Sequence, residues 1–383
     1  MSVPWTLPLT DLELSEEDVT AYLAVLESGW LTMGPRTIEF EIAFAERLGA
    51  PHAVAVSSGT AALHLAMLAA GVGDGDEVIV PAMTFVGGAA AARYCGAEPV
   101  LVESVGPEDL NLDPKDVERL VGPRTRAVLA THWLGYACDL EALERVCRDH
   151  DLILIEDCAH SITARDARGR FTGTVGMAGC FSLFSKKQLA VGEGGMILTA
   201  DEALAAEARS LRSHAMTSMT WDRHRGHAET YDIVDVGFNF RLDEPRAALG
   251  LSRLARLADD VARRRELVRG YRERLRDVPG VTIPWTDEDV ERGSHFGFAI
   301  LLESGETRDR VARELDARGI QTTHYPALTT LSAYRDHEPR PRTEALAARH
   351  LLLPLSSTYT RREVDLVVDE LMKVLAASGA ATR

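Results

Sequence analysis

Cysteine is scarce in this 383-residue chain. The five present, Cys95, Cys138, Cys147, Cys158 and Cys180, are scattered and form no CxxC pair. Such an odd, unpatterned set supports neither a disulfide framework nor a structural zinc site, and it fits a reducing compartment. Long apolar runs are missing too, since none reaches the roughly 20 residues of a membrane helix. The opening MSVPWTLPLTDLELSEED lacks a basic stretch followed by an apolar one, so no signal peptide is expected. Basic residues are in deficit, 42 against 58 acidic, for a net charge of −16. That field disfavours general binding to nucleic acid or an anionic membrane, although it leaves room for a local basic pocket. No internal repeat or low-complexity block is visible beyond a short Ala-rich tail.

What is present is an ordinary globular composition, 46% hydrophobic and 26% charged, in a chain long enough for one large domain and a smaller one. A cytoplasmic location is expected. Helical spacing opens the chain: Val19, Tyr22, Leu23 and Leu26 fall three and four apart, and Ile38, Phe40, Phe44 and Leu48 follow a Gly34-Pro35 break. Short apolar runs then alternate with helical patterns. The strand candidates are Ala53–Val56, Glu77–Val80, Pro99–Val102, Ala127–Thr131, Leu152–Glu156, Cys180–Phe184 and Gly195–Thr199, with helices such as Ala61–Ala70 and Leu140–Asp149 between them. This alternation predicts an α/β domain with a mostly parallel central sheet, whose ligands gather at the carboxyl ends of the strands. A long charged helix begins near Asp243, with Leu249, Leu254, Val261 and Val268 as its apolar positions. Phe296–Leu302 follows as a strand, and Arg308–Gly319 and Glu363–Ala376 as helices. The boundary is placed so that residues 1–250 form the large domain and 251–383 a small α/β C-terminal one, on which the N-terminal helix could also pack.

Four segments carry candidate chemistry. Ser57-Ser58-Gly59-Thr60-Ala61 joins a strand to an apolar helix, and a helix start offers free N–H groups to an anion, though it is also simply a capped helix. Ile153-Leu154-Ile155-Glu156-Asp157-Cys158-Ala159-His160 ends a strand in two carboxylates. One of them could hold a cofactor's pyridinium nitrogen protonated, or either could cap the next helix, and His160 could be a packing residue. Phe181-Ser182-Leu183-Phe184-Ser185-Lys186-Lys187-Gln188-Leu189 leads into Gly192-Glu193-Gly194-Gly195. A Schiff-base lysine needs desolvation and a cationic neighbour, which the lysine pair offers, while a solvated loop is the ordinary alternative. Gly237-Phe238-Asn239-Phe240-Arg241-Leu242-Asp243 is a polar-aromatic turn before a helix and says little alone.

Taken in order, these segments resemble the DegT/DnrJ/StrS family of fold-type-I aminotransferases. The likeness runs from SGWLTMGP (Ser28–Pro35) through SSGTAAL, PAMTF (Pro81–Phe85), EDCAH, FSLFSKKQL, GEGG and GFNFRLDEPRAALG (Gly237–Gly250) to HYP (His324–Pro326). The resemblance implies pyridoxal 5'-phosphate as cofactor and Lys187 as the lysine that bonds to it. It also implies that Asp157 pairs with the pyridine nitrogen, that His160 sits near the ring and its hydroxyl, and that Phe85 stacks on the ring. Gly59, Thr60 and Ser182 would hold the phosphate, and Asn239 would reach it from a neighbouring subunit, making a homodimer with shared sites. Two positions depart from the family pattern: Gln188 stands where asparagine is usual, and Lys186 where a small or apolar residue is usual. The spacing from Phe181 favours Lys187 over Lys186 as the reacting lysine.

The implied activity is transfer of an amino group, with L-glutamate as the expected donor, to a nucleotide-linked keto-deoxysugar, giving an amino sugar. A keto-cyclitol of the inosose type is the rival acceptor, and a non-catalytic cofactor-binding regulator the rival of another class. Thr32, Arg223, His324 and Tyr325 are the candidate substrate residues. Arg223-His224-Arg225-Gly226-His227 is a basic island that could neutralise a diphosphate or be a solvated loop. No metal ligand set is expected.

Overall fold

The computed structural model describes residues 5–218, 221, 224–226 and 229–380. Eleven strands are described: β1 (His52–Val56), β2 (Glu77–Pro81), β3 (Glu98–Val102), β4 (Ser104–Gly106), β5 (Asp109–Leu112), β6 (Thr125–Thr131), β7 (Ile153–Asp157), β8 (Ala178–Ser182), β9 (Gly195–Thr199), β10 (Phe298–Leu301) and β11 (His350–Leu353). Seven of them build one sheet in the order β1-β9-β8-β7-β6-β2-β3. β9 is antiparallel to both its neighbours, while β8, β7, β6, β2 and β3 pair in parallel. The α/β class with a mostly parallel sheet is what the alternating pattern predicted.

Both faces of this sheet are covered, which is why its strands read as nearly continuous apolar runs. Val54, Val56, Val78 and Val80 point to one cluster with helices Gly59–Ala69 and Glu202–Leu211. Ile79, Val102 and Val128 point to the other face, against helix Leu140–Asp149. Ala53 and Ala55 meet helix Pro35–Leu48, where Phe40 and Phe44 are fully buried. The 32-residue helix Glu244–Leu275, about 48 Å long at 1.5 Å per residue, feeds two cores. Its residues up to Val261 join the cluster of Phe40 and Phe44, and those from Leu267 onward join a cluster around the β10–β11 pair. The expected Leu249, Leu254, Val261 and Val268 are all buried.

Several boundaries move for physical reasons. The chain leaves the sheet after Ser182, two residues before the expected Phe184, because the lysine segment turns away from the ladder. Phe296 precedes β10 and does not begin it. The β4–β5 hairpin, β11 and helix Pro341–Arg349 carried too little periodicity to be anticipated. The first helix, Glu16–Ser28, differs most. Val19, Tyr22, Leu23 and Leu26, its apolar stripe, are 37–49% exposed, and it meets the long helix instead through fully buried Asp18 and Val25. Asp18 accepts from Ser15 N, Ser252 Oγ and Arg256, so a polar network and not the stripe docks it. Among the described residues no helix is long and apolar enough to cross a membrane.

Candidate active site

Because β1, β2, β6, β7 and β8 share one direction, their carboxyl ends meet at one edge, and there a cavity of about 320 Å³ opens. Gly59, Thr60, Phe85, Asp157, His160, Ser182, Lys187 and Tyr325 all line it, so eight candidates separated by up to 266 positions in sequence meet at one place. Thr84, Thr131, Phe184, Lys186, Glu193 and Phe296 line it as well. Thr131 ends β6 and was findable by the strand-end rule; Phe296 had no sequence signal.

The anion cradle rests on two close approaches. Ser58 caps helix Gly59–Ala69, its Oγ accepting from Ala61 N at 3.0 Å, which leaves the earlier first-turn amides of Gly59 and Thr60 to face the cavity. A Cβ on Gly59 would stand 2.9 Å from Ser182 Cβ. One on Gly195 would stand 2.3 Å from the Ser58 carbonyl oxygen. Only glycine at both positions lets the helix start sit against the ends of β8 and β9.

Along β7, successive side chains point to opposite faces, and this separates the two carboxylates. Glu156 turns into a closed polar pocket. Its oxygens accept from Gly173 N (2.8 Å), Val175 N (2.8 Å), Gly176 N (2.7 Å) and His132 Nε2 (2.9 Å). Burial would raise its pKa, but these donors outweigh it and hold the carboxyl below its ordinary range. His132 Nδ1 accepts from Cys138 N at 3.1 Å, so its Nε2 carries the proton. Although His132, Glu156 and Cys158 lie within 4.8 Å of one another, His132 and Glu156 are already spent on these bonds.

Asp157 faces the cavity. It accepts from Ala159 N at 3.0 Å and Thr131 Oγ1 at 3.4 Å, and burial raises its pKa against the pull of that amide and of Lys187. Such a carboxylate gains from a cationic N–H partner. His160 stacks on Phe296, with ring centroids 4.0 Å apart and 5° between planes. Its buried Nδ1 has no partner among the described residues, and burial, helped by Lys187, pushes its pKa well down. A neutral imidazole with an unpartnered, buried ring nitrogen thus stands in the cavity wall.

Lys187 sits in the turn between β8 and β9, held by Leu183 N→Gly194 O (2.9 Å), Val191 N→Leu183 O (2.9 Å) and Ser185 N→Gly192 O (2.9 Å). Its Nζ lies 4.3 Å from the Phe296 ring centroid. It is half-buried in the cavity wall, and desolvation lowers its pKa to about 8 while Asp157 opposes the change. Lys186, its neighbour, is exposed. Gln188, the departure from asparagine, is buried and donates to His160 O (3.1 Å) and Ser294 O (3.3 Å), tying the lysine turn to the segment that carries Phe296.

Not every candidate converges. Asn239 and Thr32 are exposed and stand outside the cavity lining. His324 lines an adjoining cavity beside Tyr325. Arg223 lies outside the described residues. Together the lining groups suit pyridoxal phosphate: a helix start for its phosphate, a buried carboxylate for its ring nitrogen, aromatic faces for its ring and a desolvated amine for its aldehyde.

A model of the DegT/DnrJ/EryC1/StrS aminotransferase family matches residues 12–372. GDP-perosamine synthase of Caulobacter vibrioides is 37% identical over 362 residues, covering 92% of this chain and 94% of that protein. The dTDP-4-dehydro-2,3,6-trideoxy-D-glucose 4-aminotransferase of Saccharopolyspora spinosa is 37% identical over 368 residues, covering 94% and 95%. Among solved structures, the aminotransferase TlmJ of Streptoalloteichus hindustanus superposes with a TM-score of 0.90 at 35% identity, covering 97% of this chain and 99% of that one.

Proposed function

The chain belongs to the DegT/DnrJ/EryC1/StrS family of pyridoxal-phosphate-dependent aminotransferases, and we propose that it moves an amino group from L-glutamate to a nucleotide-linked keto-deoxysugar. The observation that carries the catalytic part is the convergence of a desolvated Lys187, a buried Asp157 and the Gly59–Thr60 helix start on one cavity. The acceptor class rests on the relatives, which are named for GDP- and dTDP-linked sugars.

Bound here, pyridoxal phosphate supplies the aldehyde that takes up the amino group and a ring that accepts an electron pair. The chain's own residues do the rest. Gly59, Thr60 and Ser182 bind the phosphate, and Asp157 holds a proton on the ring nitrogen. Lys187, neutral for an appreciable fraction of the time near pH 8, would take the proton from the donor's α-carbon and return it to the carbon of the cofactor's former aldehyde group. Phe85, His160 and Phe296, which line the same cavity, would offer aromatic faces to the ring and help keep water from the reacting carbon. Incubation with L-glutamate and a panel of nucleotide-linked 3-keto and 4-keto 6-deoxyhexoses, with a keto-cyclitol beside them, tests the reading by product mass. Amination of the cyclitol alone would replace the acceptor.

We propose further that the working unit is a homodimer with shared sites, located in the cytoplasm. Three observations support the dimer. Asn239 is exposed and outside its own cavity, Ile233, Val234 and Val236 beside it are 49–84% exposed, and the Val19–Leu26 stripe lacks cover within the chain. The five unpaired cysteines fit a reducing location. The division into residues 1–250 and 251–383 remains our reading of two cores joined by one helix. Mixing a Lys187→Ala protein with an Asn239→Ala protein should restore part of the activity, because each mixed dimer has one undamaged site. Proven subunit exchange with no recovery would return Asn239 to its own subunit.

A further inference from the structure

Behind the Lys186–Lys187 turn lies a second cavity, of about 200 Å³, that shares only those two lysines with the first. Its walls are the segment from Thr10 to Ser15 and the long helix, which contributes Arg253, Arg256, Arg263 and Arg264. A third cavity, holding His324 and Tyr325, shares Thr10 and Lys186 with it. Lys186 therefore borders all three.

The basic groups in this cavity are poorly matched by acids. Arg264 is buried and donates to the carbonyls of Leu355 (3.1 Å), His295 (3.4 Å) and Phe296 (3.5 Å), and to Thr10 Oγ1 (3.4 Å), with no carboxylate bonded to it among the described residues. Burial lowers its pKa to about 10. Arg253 is only 6% exposed. It donates to Glu13 O at 3.0 Å and stands 3.6 Å from Asp18, but its buried Nε has no acceptor among the described residues. Asp18 is already committed to Ser15, Ser252 and Arg256. Arg263 and Lys186, both exposed, have no hydrogen-bond or ion-pair partner among the described residues. The carboxylates lining the cavity are Asp11, Glu13 and Asp260. In a chain of net charge −16, six basic side chains here, Lys187 among them, face three acidic ones. A desolvated guanidinium with a spare donor is a place for an oxyanion.

We propose that this cavity is an oxyanion subsite of the active site, in which Lys186 and Arg253 hold a negatively charged group of a substrate whose reacting carbon lies at Lys187. The identity of that substrate rests on the transamination reading above: the group is either the diphosphate of the sugar nucleotide or the side-chain carboxylate of the amino donor. The subsite itself does not depend on turnover. Lys186, where the resemblance leads one to expect a small or apolar residue, is then a specificity residue.

The test is calorimetric titration of the cofactor-loaded protein with inorganic pyrophosphate and with glutarate. The intact protein should bind at least one, and Lys186→Met and Arg253→Gln should each weaken that binding roughly tenfold, the loss of one charge-assisted hydrogen bond. Lys186 is exposed, so its variant stays decisive even if Arg253→Gln folds poorly. No binding by the intact protein, or equal binding by the intact protein and the Lys186→Met variant, overturns the proposal. The two half-reactions, followed separately by the cofactor spectrum, then name the source. A defect confined to the glutamate half assigns the carboxylate, and one confined to the sugar half assigns the diphosphate. Anion binding that needs both residues in a protein that transaminates nothing keeps the subsite and removes the transamination reading.

Discussion

Glu156 and Asp157 are adjacent on one strand, equally buried, and opposite in character. The pocket around Glu156 is complete, with four donors on two oxygens and a histidine whose tautomer is set by an amide. The cavity around Asp157 is incomplete. Its carboxylate has two modest partners, the nearby His160 Nδ1 has none among the described residues, and Lys187, half-buried in the cavity wall, is partly desolvated. A saturated buried network stabilises the fold, whereas an unsaturated one is held open for a ligand. Strand alternation alone decides which carboxylate receives which fate.

Four measurements would break or sharpen that contrast. Replacing Lys187 by Ala should abolish the absorption of lysine-bound cofactor and lower turnover by at least about 10³-fold, within the range lost with a catalytic acid–base group. Lys186→Ala should keep the band, and the reverse result would move the reactive amine to Lys186. Asp157→Asn should lower kcat by roughly 10²–10³-fold with the fold intact. Its raised pKa means that its charge is a cost in the folded apoprotein above the ordinary Asp range, so the Asn apoprotein should be at least as stable at pH 7. That advantage should vanish below about pH 4. Near-normal turnover would mean that another group holds the ring proton.

Glu156→Gln should do the opposite, with little change in kcat for folded protein but a loss of about 3 kcal/mol in urea unfolding at pH 7. An amide would set its own N–H₂ against backbone donors. The lowered Glu156 pKa makes its contribution present above the unfolded carboxylate's range and lost as pH falls through the lower, folded value. The two proteins should therefore converge only once the pH has fallen below that lowered value, under the ordinary carboxylate range. An Asp157-like loss of turnover without destabilisation would erase the contrast. The smallest effect concerns Lys187 itself. With its pKa near 8, about a tenth is neutral at pH 7 and about nine-tenths at pH 9. Capture of pyridoxal phosphate by the apoprotein should accelerate roughly tenfold across that interval and then level, and a midpoint near 10.5 would show the amine to be solvated.

The sequence by itself determined the layered α/β fold, because strands covered on both faces must be apolar throughout and the helices between them carry their own spacing. It also placed Gly59, Thr60, Asp157, Ser182 and Lys187 at strand ends, where parallel sheets gather ligands. The resemblance and the spacing from Phe181 already favoured Asp157 and Lys187, but only the tertiary structure supplied the physical difference from Glu156 and Lys186, since neighbours of one chemical type differ in function through what surrounds them. Phe296 and the arginine cavity were likewise decided in three dimensions. They belong to segments far along the chain, and an aromatic or an arginine has no periodic signature until the fold brings it against the lysine. The outward stripe of the first helix teaches the same limit: amphipathic spacing shows an apolar face, and only the fold shows that this face is left exposed while buried Asp18 docks the helix.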